Sequence, residues 1–568
     1  MEDIEDLNQL TPLQQKNLFS FLQKVSDDGS NFNSLRREFS LANKCMPTKN
    51  QMLNAWRSND HEINPFLNAH LIVKKGRSLS GVLVVAVFTH AHPSYVDETG
   101  KTVTQTFSCK HSCAYCPLEP AHEGNGFVEQ PRSYLLQEPG VLRANKVGFV
   151  TVKQVWIRLE TYYVNGHPLD KLEIIVLGGT WTEYPVPYQR QYIRDVYYAV
   201  NVFDPLKTCE KQKEQAREPM TMEEEISEND LRSPIKIIGL TLETRPDTIN
   251  LEEIKRMRSY GCTRVQIGVQ HTNNDILRKV QRGHTIEDTM AAIELLKDCG
   301  LKVDIHLMPN LPSSTVEMDR AMFNEVLTNP MLQADEFKLY PCSVVPWTLI
   351  ETWFKEGSYV PYPDSELFQL LIEVKKRVHP YIRIARLVRD IPESYISGGC
   401  KNSNMRQLIS LTPVCRCIRC RQCNDKKPVD MSTLELIVRS YPASNGIEYF
   451  ISVENVTTDT IYGFLRLRVT NKSGHNMVTL DSIRECALIR ELHVYGQVVA
   501  HDQEKKTNTS VQHSGIGKSL MAKAEEIARV EGYTKIVVIS GIGVRGYYRR
   551  LGYNLTHDDG YMIKSLLL

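Results

Sequence analysis

The feature that most constrains the fold of this chain is an alternation of apolar, strand-like runs with helical patterns between residues 80 and 386. Runs of this composition are typical of buried strands. They are SGVLVVAVFTH (80–90), LEIIVLGG (172–179), IKIIGLTLET (235–244), TRVQIGVQ (263–270), LKVDIHLMP (301–309), DEFKLYP (335–341) and IRIAR (382–386). The alternation predicts an α/β fold, a parallel βα barrel or partial barrel of the TIM type. In such folds the chemistry lies at the carboxyl ends of the strands.

The length of the chain predicts more than this one domain, because 568 residues exceed what a single core usually organises. We expect a helical region at 1–75, the barrel at 76–394 and a separate α+β domain at 431–568. A charged segment at 204–232 interrupts the barrel pattern and is predicted to be a mobile surface insertion. The stretch 395–430, rich in Cys and Arg, is predicted to link the barrel to the last domain.

Composition predicts an ordinary globular protein of the cytoplasm, with a nuclear pool if the source is eukaryotic. The hydrophobic fraction is 42% and the charged fraction 24%, with neither an 18-residue apolar run nor an apolar segment typical of a signal peptide. The net charge is +1, yet residues 375–427 hold 13 Lys and Arg against three acidic residues. We therefore expect no membrane contact, and a locally basic surface between the two larger domains.

Three of the 14 cysteines lie within eight residues, in the sequence CKHSCAYC at 109–116. In a reducing compartment a disulfide is the less favoured of their uses, which leaves metal binding. A structural zinc ion takes four ligands, so the thiols would have to borrow His111 or His122. Alternatively, Cys109, Cys113 and Cys116 could hold three irons of a four-iron cluster, which would leave the fourth iron open to a small molecule.

The C-x3-C-x2-C spacing, with an aromatic residue before the last Cys, resembles the radical-SAM signature. In that family S-adenosylmethionine chelates the open iron of a [4Fe-4S] cluster, and one electron cleaves it to a 5′-deoxyadenosyl radical. The resemblance implies that Tyr115 lies near the adenine. It also implies that Gly178 and Gly179, at the end of the second strand-like run, bind the methionine amino group. The alternative for these two glycines is a simple tight turn.

A second glycine-rich segment, VQHSGIGKSL at 511–520, opens a helical pattern between two strand-like runs. Glycines let backbone N–H groups approach a pyrophosphate, and the helix adds the positive end of its dipole. This order matches the acetyl-CoA site of GNAT-type acetyltransferases; the alternative is a glycine-rich turn in an unrelated α/β domain. The residues expected to bind acetyl-CoA are Gln512, His513, Gly515 and Gly517.

Two tyrosines, Tyr547 and Tyr548, follow the last of these strand-like runs. A GNAT enzyme places at this point a residue that protonates the departing thiolate, and a tyrosine can do so if it is well placed. Both are therefore candidate catalytic residues, and Tyr547 is also a candidate acetyl-CoA contact. A structural role in the core for one of the two is an equally open interpretation.

The combination of a radical-SAM barrel with a GNAT domain resembles the Elongator catalytic subunit family of tRNA-modifying acetyltransferases. The resemblance runs from about residue 70 to the end of the chain. It is carried by GLTLETRPD, YGCTRVQIGVQ, RGHT, MPNLP, FKLYP, RDIP, IRELHVYG and GYYRRLGY. It implies that acetyl-CoA and a radical derived from S-adenosylmethionine place a carboxymethyl-type group at C5 of the wobble uridine of tRNA. Expected partners are tRNA and Elongator-like accessory subunits, with the chain itself a monomer or homodimer.

Further residues acquire roles through this resemblance alone. Glu243 and Arg245 are expected to contact S-adenosylmethionine or the substrate; the alternative is an ion pair within the protein. Lys338 and Tyr340, in the sequence KLYP, are expected to be catalytic because they match a motif implicated in moving the acetyl group between the sites. The short gap between Cys109 and Cys113 departs from the longer gap of eukaryotic family members, and it favours a working S-adenosylmethionine site.

The other cysteine group, PVCRCIRCRQC at 413–423, is the better zinc candidate. Its four thiols are Cys415, Cys417, Cys420 and Cys423. The family binds zinc here through the first three, so the fourth ligand is open between Cys423, Cys400 and His379.

The basic excess around this linker predicts a surface for the tRNA backbone, to which the helical region 1–75 could contribute. The alternative is an ordinary solvated charged face. The candidate RNA-binding residues are Lys375, Lys376, Arg377, Arg383, Arg386, Arg389, Arg416, Arg419 and Arg421. Two other functions stay open at this point. One is a protein lysine acetyltransferase with a structural iron–sulfur domain, and the other is a scaffold without activity.

Overall fold

The structure is a computed structural model. It describes residues 10–28, 32–59, 67, 70–78, 80–207, 209–402, 405–410, 415–423, 431–470, 479–495, 515–556 and 559–567. Within these residues, no helix is both long enough and apolar enough to cross a membrane.

The chain begins with three helices that share a small apolar core. They are α1 (Pro12–Asp28), α2 (Phe32–Asn43) and α3 (Lys49–Arg57). Leu18, Leu22 and Val25 of α1 are fully buried against Phe39 and Leu53 of the other two helices. Helix α3 begins at Thr48, whose side chain accepts the backbone N–H of Gln51 in a reciprocal capping box. Helices therefore occupy much of the region where the sequence predicts them.

The centre of the molecule is a seven-stranded, fully parallel sheet, which confirms the predicted partial barrel. Its strands in spatial order are β1 (Leu83–Phe88), β4 (Lys171–Leu177), β5 (Lys236–Thr244), β6 (Arg264–Gln270), β7 (Lys302–Leu307), β8 (Glu336–Leu339) and β9 (Arg383–Arg386). Two short strands, β2 (Ser94–Val96) and β3 (Thr102–Thr104), form a separate hairpin after β1. Every residue of β6 is buried, as expected for a central strand covered on both faces.

Helices cover the outside of this sheet. They are α4 (Pro139–Asn145), α5 (Thr151–Val164), α6 (Val186–Asn201), α7 (Cys209–Gln215), α8 (Met222–Leu231), α9 (Leu251–Ser259), α10 (Asn274–Lys279), α11 (Ile286–Asp298), α12 (Val316–Thr328), α13 (Leu349–Lys355), α14 (Asp364–Arg377), α15 (Met405–Ser410) and α16 (Ile418–Arg421). Residues next to helix α11 determine where it begins and ends. The side chain of Thr285 caps its first turn, and Gly300, with φ of +77°, follows its last turn.

The predicted mobile surface insertion at 204–232 contains a helix, α8, that packs against the barrel. Met222, Glu225 and Asn229 of this helix are buried. Asn229 accepts the backbone N–H of Ile237 at 2.9 Å, which ties the helix to β5. The sequence is misleading here because the buried face of α8 is polar, and the Glu225 carboxylate is held by Arg217.

The second large sheet is mixed and lies in the last part of the chain. Its strands in spatial order are β10 (Glu435–Ala443), β11 (Gly446–Asn455), β12 (Thr460–Val469), β13 (Ala487–Val494), β14 (Lys535–Val538), β16 (Met562–Ser565) and β15 (Asn554–Leu555). Only β13 and β14 pair in parallel. Between them runs helix α17 (Ile516–Val530), which buries Leu520, Ala524 and Ala528 on the sheet, and the short α18 (Arg545–Arg549) follows β14. This is the strand, glycine, helix, strand order expected from the sequence.

Buried ion pairs join the two sheets. Arg490 of β13 donates to Asp335, at the start of β8, with Nη1 2.9 Å from Oδ1. Arg468 of β12 donates to Asp298, at the end of α11, with Nε 2.8 Å from Oδ1. All four side chains are almost completely buried. The second sheet is thus fixed against the amino-terminal end of the barrel, away from the edge where its chemistry is expected.

The same interface includes a close backbone approach. A Cβ atom at Gly541 would lie 1.9 Å from the carbonyl oxygen of Ile238 in β5, so only glycine fits there. The loop after β14 therefore rests directly on the backbone of the barrel.

Candidate functional site

Arginine side chains surround the cysteine loop that follows β1. Arg132 donates from Nε to Cys116 Sγ at 3.4 Å, and Arg282 donates from Nη1 to Cys113 Sγ at 3.5 Å. Arg245 approaches the same Cys113 sulfur at 3.8 Å. These arginines come from the loop itself and from the segments after β5 and β6, which all lie at the carboxyl edge of the sheet.

This surrounding charge favours thiolates. Burial raises the pKa of Cys113, but Arg282 and Arg245 outweigh it, so that the pKa lies below its usual value. Burial keeps the pKa of Cys116 raised, with Arg132 acting against it. Three thiols with cationic donors on two of them form a donor set that suits an anionic iron–sulfur cluster.

The distances between the sulfur atoms distinguish a site for an iron–sulfur cluster from a site for a single metal ion. Among the described residues, one group of at least three His, Cys, Asp or Glu side chains has its ligand atoms within 4.8 Å of one another, and it is not this loop. A single zinc ion needs such closeness, because all its ligands contact one atom. A four-iron cluster does not, since each thiolate binds a different iron. The loop at 109–116 therefore fits a cluster better than it fits zinc.

The predicted glycines and tyrosine lie beside this loop. Gly178 and Gly179 have φ of +127° and +117°, in the region that favours glycine. A Cβ at Gly178 would lie 2.0 Å from Thr89 Oγ1, and one at Gly179 would lie 2.9 Å from the Phe107 ring. Close packing against the chain that leads into the cysteines thus already requires glycine here. Tyr115 is half-buried beside an apolar cluster, and burial raises its pKa well above the usual value.

The interior of the barrel holds a chain of polar side chains around Lys338. Its Nζ donates to Gln266 Oε1 at 2.6 Å and lies 3.5 Å from Asp304 Oδ2. Burial raises the pKa of Asp304 to about 6, although Lys338 acts against this. Lys338 is therefore held in place by two fully buried side chains that the strands β6 and β7 supply.

Glu243 and Tyr340 lie nearer the carboxyl edge of the same interior. Tyr134 donates to Glu243 Oε2 at 3.3 Å, and His306 Nδ1 lies 3.9 Å from Glu243 Oε1. The His306 ring also packs edge-on against Tyr340, with centroids 5.4 Å apart. Burial raises the pKa of Glu243. The structure thus brings Glu243, Lys338 and Tyr340 into one interior cluster.

Unpaired polar atoms mark this interior as a place for a ligand. Gln266 Nε2 and His306 Nε2 are buried without a hydrogen-bond partner among the described residues. Buried polar atoms without partners are uncommon in native structures, and each calls for an explanation such as a bound molecule. A small polar molecule in the barrel would supply both partners.

Arg245 takes the alternative role that the sequence left open. Its Nε lies 2.9 Å from Asp247 Oδ1, and its Nη2 donates to the backbone oxygen of Arg282 at 2.6 Å. The side chain is buried, so it does not present a free charge to a substrate. It acts here on the cysteine loop through Cys113.

In the last domain, Gly515 and Gly517 lie at the start of α17. Gly515 has φ of +89° and caps the helix, and a Cβ at Gly517 would lie 2.8 Å from the hydroxyl of Tyr547. Gln512 and His513 lie outside the described residues. Tyr548 is buried in the core of the domain, which supports the structural interpretation for this one of the two tyrosines. Tyr547 stays half-exposed at the helix start and remains the candidate.

The second cysteine group is confirmed as a compact set for three of its members. The Sγ atoms of Cys415, Cys417 and Cys420 lie within 4.8 Å of one another, and hydrogen bonds from its two neighbours lower the pKa of Cys417. The sulfur of Cys423 is not part of this group. The other two candidates for the fourth position, Cys400 and His379, are not part of it either, and His379 Nε2 lies 2.8 Å from the backbone oxygen of Leu327.

The predicted RNA-binding set is wrong for Lys375 and Arg421, which are buried, and Arg383 and Arg389 make contacts within the protein. Lys375 is only 5% exposed, and Arg421 is 3% exposed and paired with Glu454. Arg389 pairs with Glu138 in the loop after β1, at 2.7 Å. Arg383 donates to Gln422 and to the hydroxyl of Tyr495. The exposed members are Lys376, Arg377, Arg386, Arg416 and Arg419.

Sequence reasoning missed Arg132, Arg282, Gln266, Asp304 and His306. A signal existed for the last three. In the runs VQIGVQ and VDIHL, polar residues alternate with apolar ones, and alternate residues of a barrel strand point to its interior. Nothing local to Arg132 or Arg282 indicates that they reach the cysteines.

Comparison with known proteins agrees with this site. Residues 207–324 match the family model of the radical SAM superfamily, and residues 334–412 match that of the radical SAM C-terminal domain. A radical SAM domain implies a [4Fe-4S] cluster and S-adenosylmethionine. A solved structure, the archaeal Elp3 of Methanocaldococcus infernus with an N-terminal deletion, shares 34% identity at a TM-score of 0.67 and covers 86% of this chain and 100% of that one.

Two relatives match this chain over most of its length. The chain is 39% identical over 502 residues to a tRNA uridine(34) acetyltransferase of Dehalococcoides mccartyi, which covers 87% of this chain and 99% of the relative. It is 37% identical over 516 residues to Elongator complex protein 3 of Drosophila melanogaster, which covers 87% of this chain and 85% of the relative. The family resemblance read from the sequence is confirmed, and the chain belongs to the family of tRNA uridine(34) acetyltransferases and Elongator complex protein 3.

Proposed function

We propose that this chain modifies the wobble uridine of tRNA, using acetyl-CoA and S-adenosylmethionine to place a carboxymethyl-type group at C5. The observation that carries the proposal is the cysteine loop with its cationic donors, set at the mouth of a barrel whose interior has unpaired polar atoms. The relatives named for tRNA uridine(34) supply the substrate class. The chemistry agrees, because C5 of uridine is a poor nucleophile for acyl transfer, whereas a carbon radical can add to its double bond.

Each part of the site has a role of its own in this proposal. Cys109, Cys113 and Cys116 would hold the [4Fe-4S] cluster, which supplies the electron for cleaving S-adenosylmethionine. Arg132 and Arg282 hold thiolates in place by donating to their sulfurs. Lys338, fixed by Gln266 and Asp304, faces the space where the substrate binds, and Glu243, whose pKa is raised by burial, can hold a proton there.

The acetyl donor would bind at the second sheet. Gly515 opens helix α17, whose first-turn N–H groups and dipole suit a pyrophosphate. The hydroxyl of Tyr547 lies at the same helix start and can give a proton to the departing thiolate. Cys415, Cys417 and Cys420 form the proposed zinc site, with an exposed Cys420 leaving room for a fourth ligand. The Elongator name of several relatives supports assembly with accessory subunits.

Mass spectrometry of tRNA nucleosides tests the proposal. The chain, reconstituted anaerobically, is incubated with tRNA, acetyl-CoA, S-adenosylmethionine and dithionite. We expect a new uridine derivative that disappears when any one of these components is left out. The variant Cys113→Ala should make none and cleave no S-adenosylmethionine, yet it should bind acetyl-CoA as the wild type does. Acetyl-CoA turnover with histone tails that exceeds turnover with tRNA would instead establish a lysine acetyltransferase, which the named relatives do not favour.

A further inference from the structure

Two arginines, with a third nearby, lie on the outside of the barrel, between β1 and the helices α4 and α5. Arg143 of α4 and Arg158 of α5 line a small, partly open cavity. Ala86 of β1 and Gly140 form part of its wall. Arg77 lies close enough to act electrostatically on both guanidinium groups. None of the functions assigned above uses these three residues.

No carboxylate balances this charge within the part of the chain that the structure describes. Arg143 donates from Nη1 to the backbone oxygen of Pro139 at 2.7 Å. Arg158 donates to the hydroxyl of Tyr162 at 2.8 Å and stacks over the same ring. Neither contact is with an anion. By contrast, two arginines of the next helix each pair with a carboxylate, Arg190 with Glu223 and Arg194 with Asp195.

The positive charge of these arginines acts on a buried histidine, His167. His167 is 1% exposed, and its Nδ1 lies 3.1 Å from the hydroxyl of Ser78, next to Arg77. Its Nε2 is buried without a hydrogen-bond partner among the described residues. Burial, together with the charges of Arg77 and Arg158, lowers its pKa to about 4. The site therefore has a positive potential that an anion would relieve.

The cavity lies close to the barrel interior. Gly140 approaches the Phe88 ring so closely that a Cβ there would be 2.7 Å from Cε2. Phe88 packs edge-on against Tyr134, with centroids 5.0 Å apart, and Tyr134 donates to Glu243. Two aromatic side chains thus separate the arginines from the interior cluster. A polyanion held here would lie beside β1, which is an edge strand of the sheet.

We propose that Arg143 and Arg158, with Arg77 nearby, bind a phosphate group of the tRNA backbone and anchor the RNA beside strand β1. The planar fork of a guanidinium matches the oxygens of a phosphate, and half-buried arginines lose little freedom on binding. The inference rests on the proposed function, because that function supplies the RNA. A free nucleotide carries the same phosphate chemistry, so the test compares the two sources.

The experiment measures tRNA binding by fluorescence anisotropy as a function of salt. At about 0.1 M salt, Arg143→Gln and Arg158→Gln should each weaken binding roughly tenfold. Each should also reduce the slope of log K against log salt by about one. Arg158→Lys keeps the positive charge and should lose less tRNA affinity than Arg158→Gln. The control is Arg232→Gln, which removes one charge at a side chain that is 68% exposed and already paired with Glu228. It should bind as the wild type does.

A second probe addresses the site without RNA. Inorganic phosphate added to the wild type should raise the pKa of His167, measured from its imidazole NMR signals, and Arg158→Gln should abolish this shift. Circular dichroism establishes that each variant is folded. Wild-type tRNA affinity and salt slope in both glutamine variants would overturn the inference while leaving the uridine modification intact. The inference would also be overturned if adenosine monophosphate bound without competing with tRNA. Failure of the wild type to modify tRNA would refute the proposed function alone, and the His167 shift would still test the arginines.

Discussion

Replacing Asp335 by Asn should weaken the attachment of the second sheet to the barrel. The Asp335 carboxylate is fully buried at the start of β8. It accepts both terminal nitrogens of Arg490, with Nη1 at 2.9 Å, and the backbone N–H of Val303 at 2.8 Å. Arg466 lies 3.5 Å away. One carboxylate therefore compensates two buried cations that both belong to the second sheet.

The size of the effect follows from these contacts. An Asn side chain keeps one acceptor, Oδ2 in Asp335, for Val303 and for Nη2 of Arg490, but its amide N–H groups then face Nη1 of Arg490. One charge-assisted hydrogen bond is lost, at about 1.5–3 kcal/mol, and the other loses its charge. Removing one partner of a buried ion pair typically costs about 3–5 kcal/mol. Glu448 remains 3.4 Å from Arg490 and compensates part of its charge. We therefore expect a loss near the lower end of that range, about 3 kcal/mol.

Urea unfolding with two probes measures this loss. All five tryptophans precede residue 354, so their fluorescence reports the barrel and the N-terminal helices. Hydrogen exchange of β13 and β14 reports the second sheet. The control is Asp275→Asn, whose carboxylate is 80% exposed beside Arg278; it should lose less than about 0.5 kcal/mol. A loss below about 1 kcal/mol in Asp335→Asn, or unchanged exchange in β13, would refute the argument that this carboxylate joins the two sheets.

The contribution of Asp335 to stability depends on pH in a definite direction. Burial raises the pKa of Asp335, but Arg490 outweighs it and holds the pKa well below its usual value. A carboxyl whose pKa is lowered by folding stabilises the protein above its unfolded pKa of about 3.9, and this contribution is lost as the pH falls towards the folded value. The difference between wild type and Asp335→Asn should therefore be full at neutral pH and shrink below about pH 4.

Other predictions concern single sites. Gly517→Leu should abolish acetyl-CoA binding, measured by calorimetry, because the new side chain meets the hydroxyl of Tyr547, while cleavage of S-adenosylmethionine stays at the wild-type rate. Cys417→Ser should lose bound zinc in elemental analysis, whereas Cys423→Ser should keep it; equal zinc content in both would contradict the three-cysteine site. Asp304 has its pKa raised to about 6 by burial, so its ionisation lowers stability as the pH rises from about 4 to 6. Asp304→Asn should flatten urea midpoints over that range, and an unchanged slope would contradict the raised pKa.

The sequence by itself determined the features that depend on neighbouring residues. The alternation of apolar runs and helical patterns specified a parallel sheet, because strand and helix periods are read over a few residues. The spacing of Cys109, Cys113 and Cys116 indicated a cluster loop for the same reason, since all three ligands come from one short segment. Gly515 was recognisable as the start of a helix after a strand.

Only the tertiary structure decided which charged groups meet. Arg282 reaches Cys113 across 169 positions of the chain, and Arg490 reaches Asp335 across 155. No local pattern indicates such pairs, so the sequence predicts a surface role for Arg421 although Glu454 holds it in the interior. Cys423 shows the same limit. Its spacing matches a zinc ligand, but its sulfur lies outside the group that Cys415, Cys417 and Cys420 form.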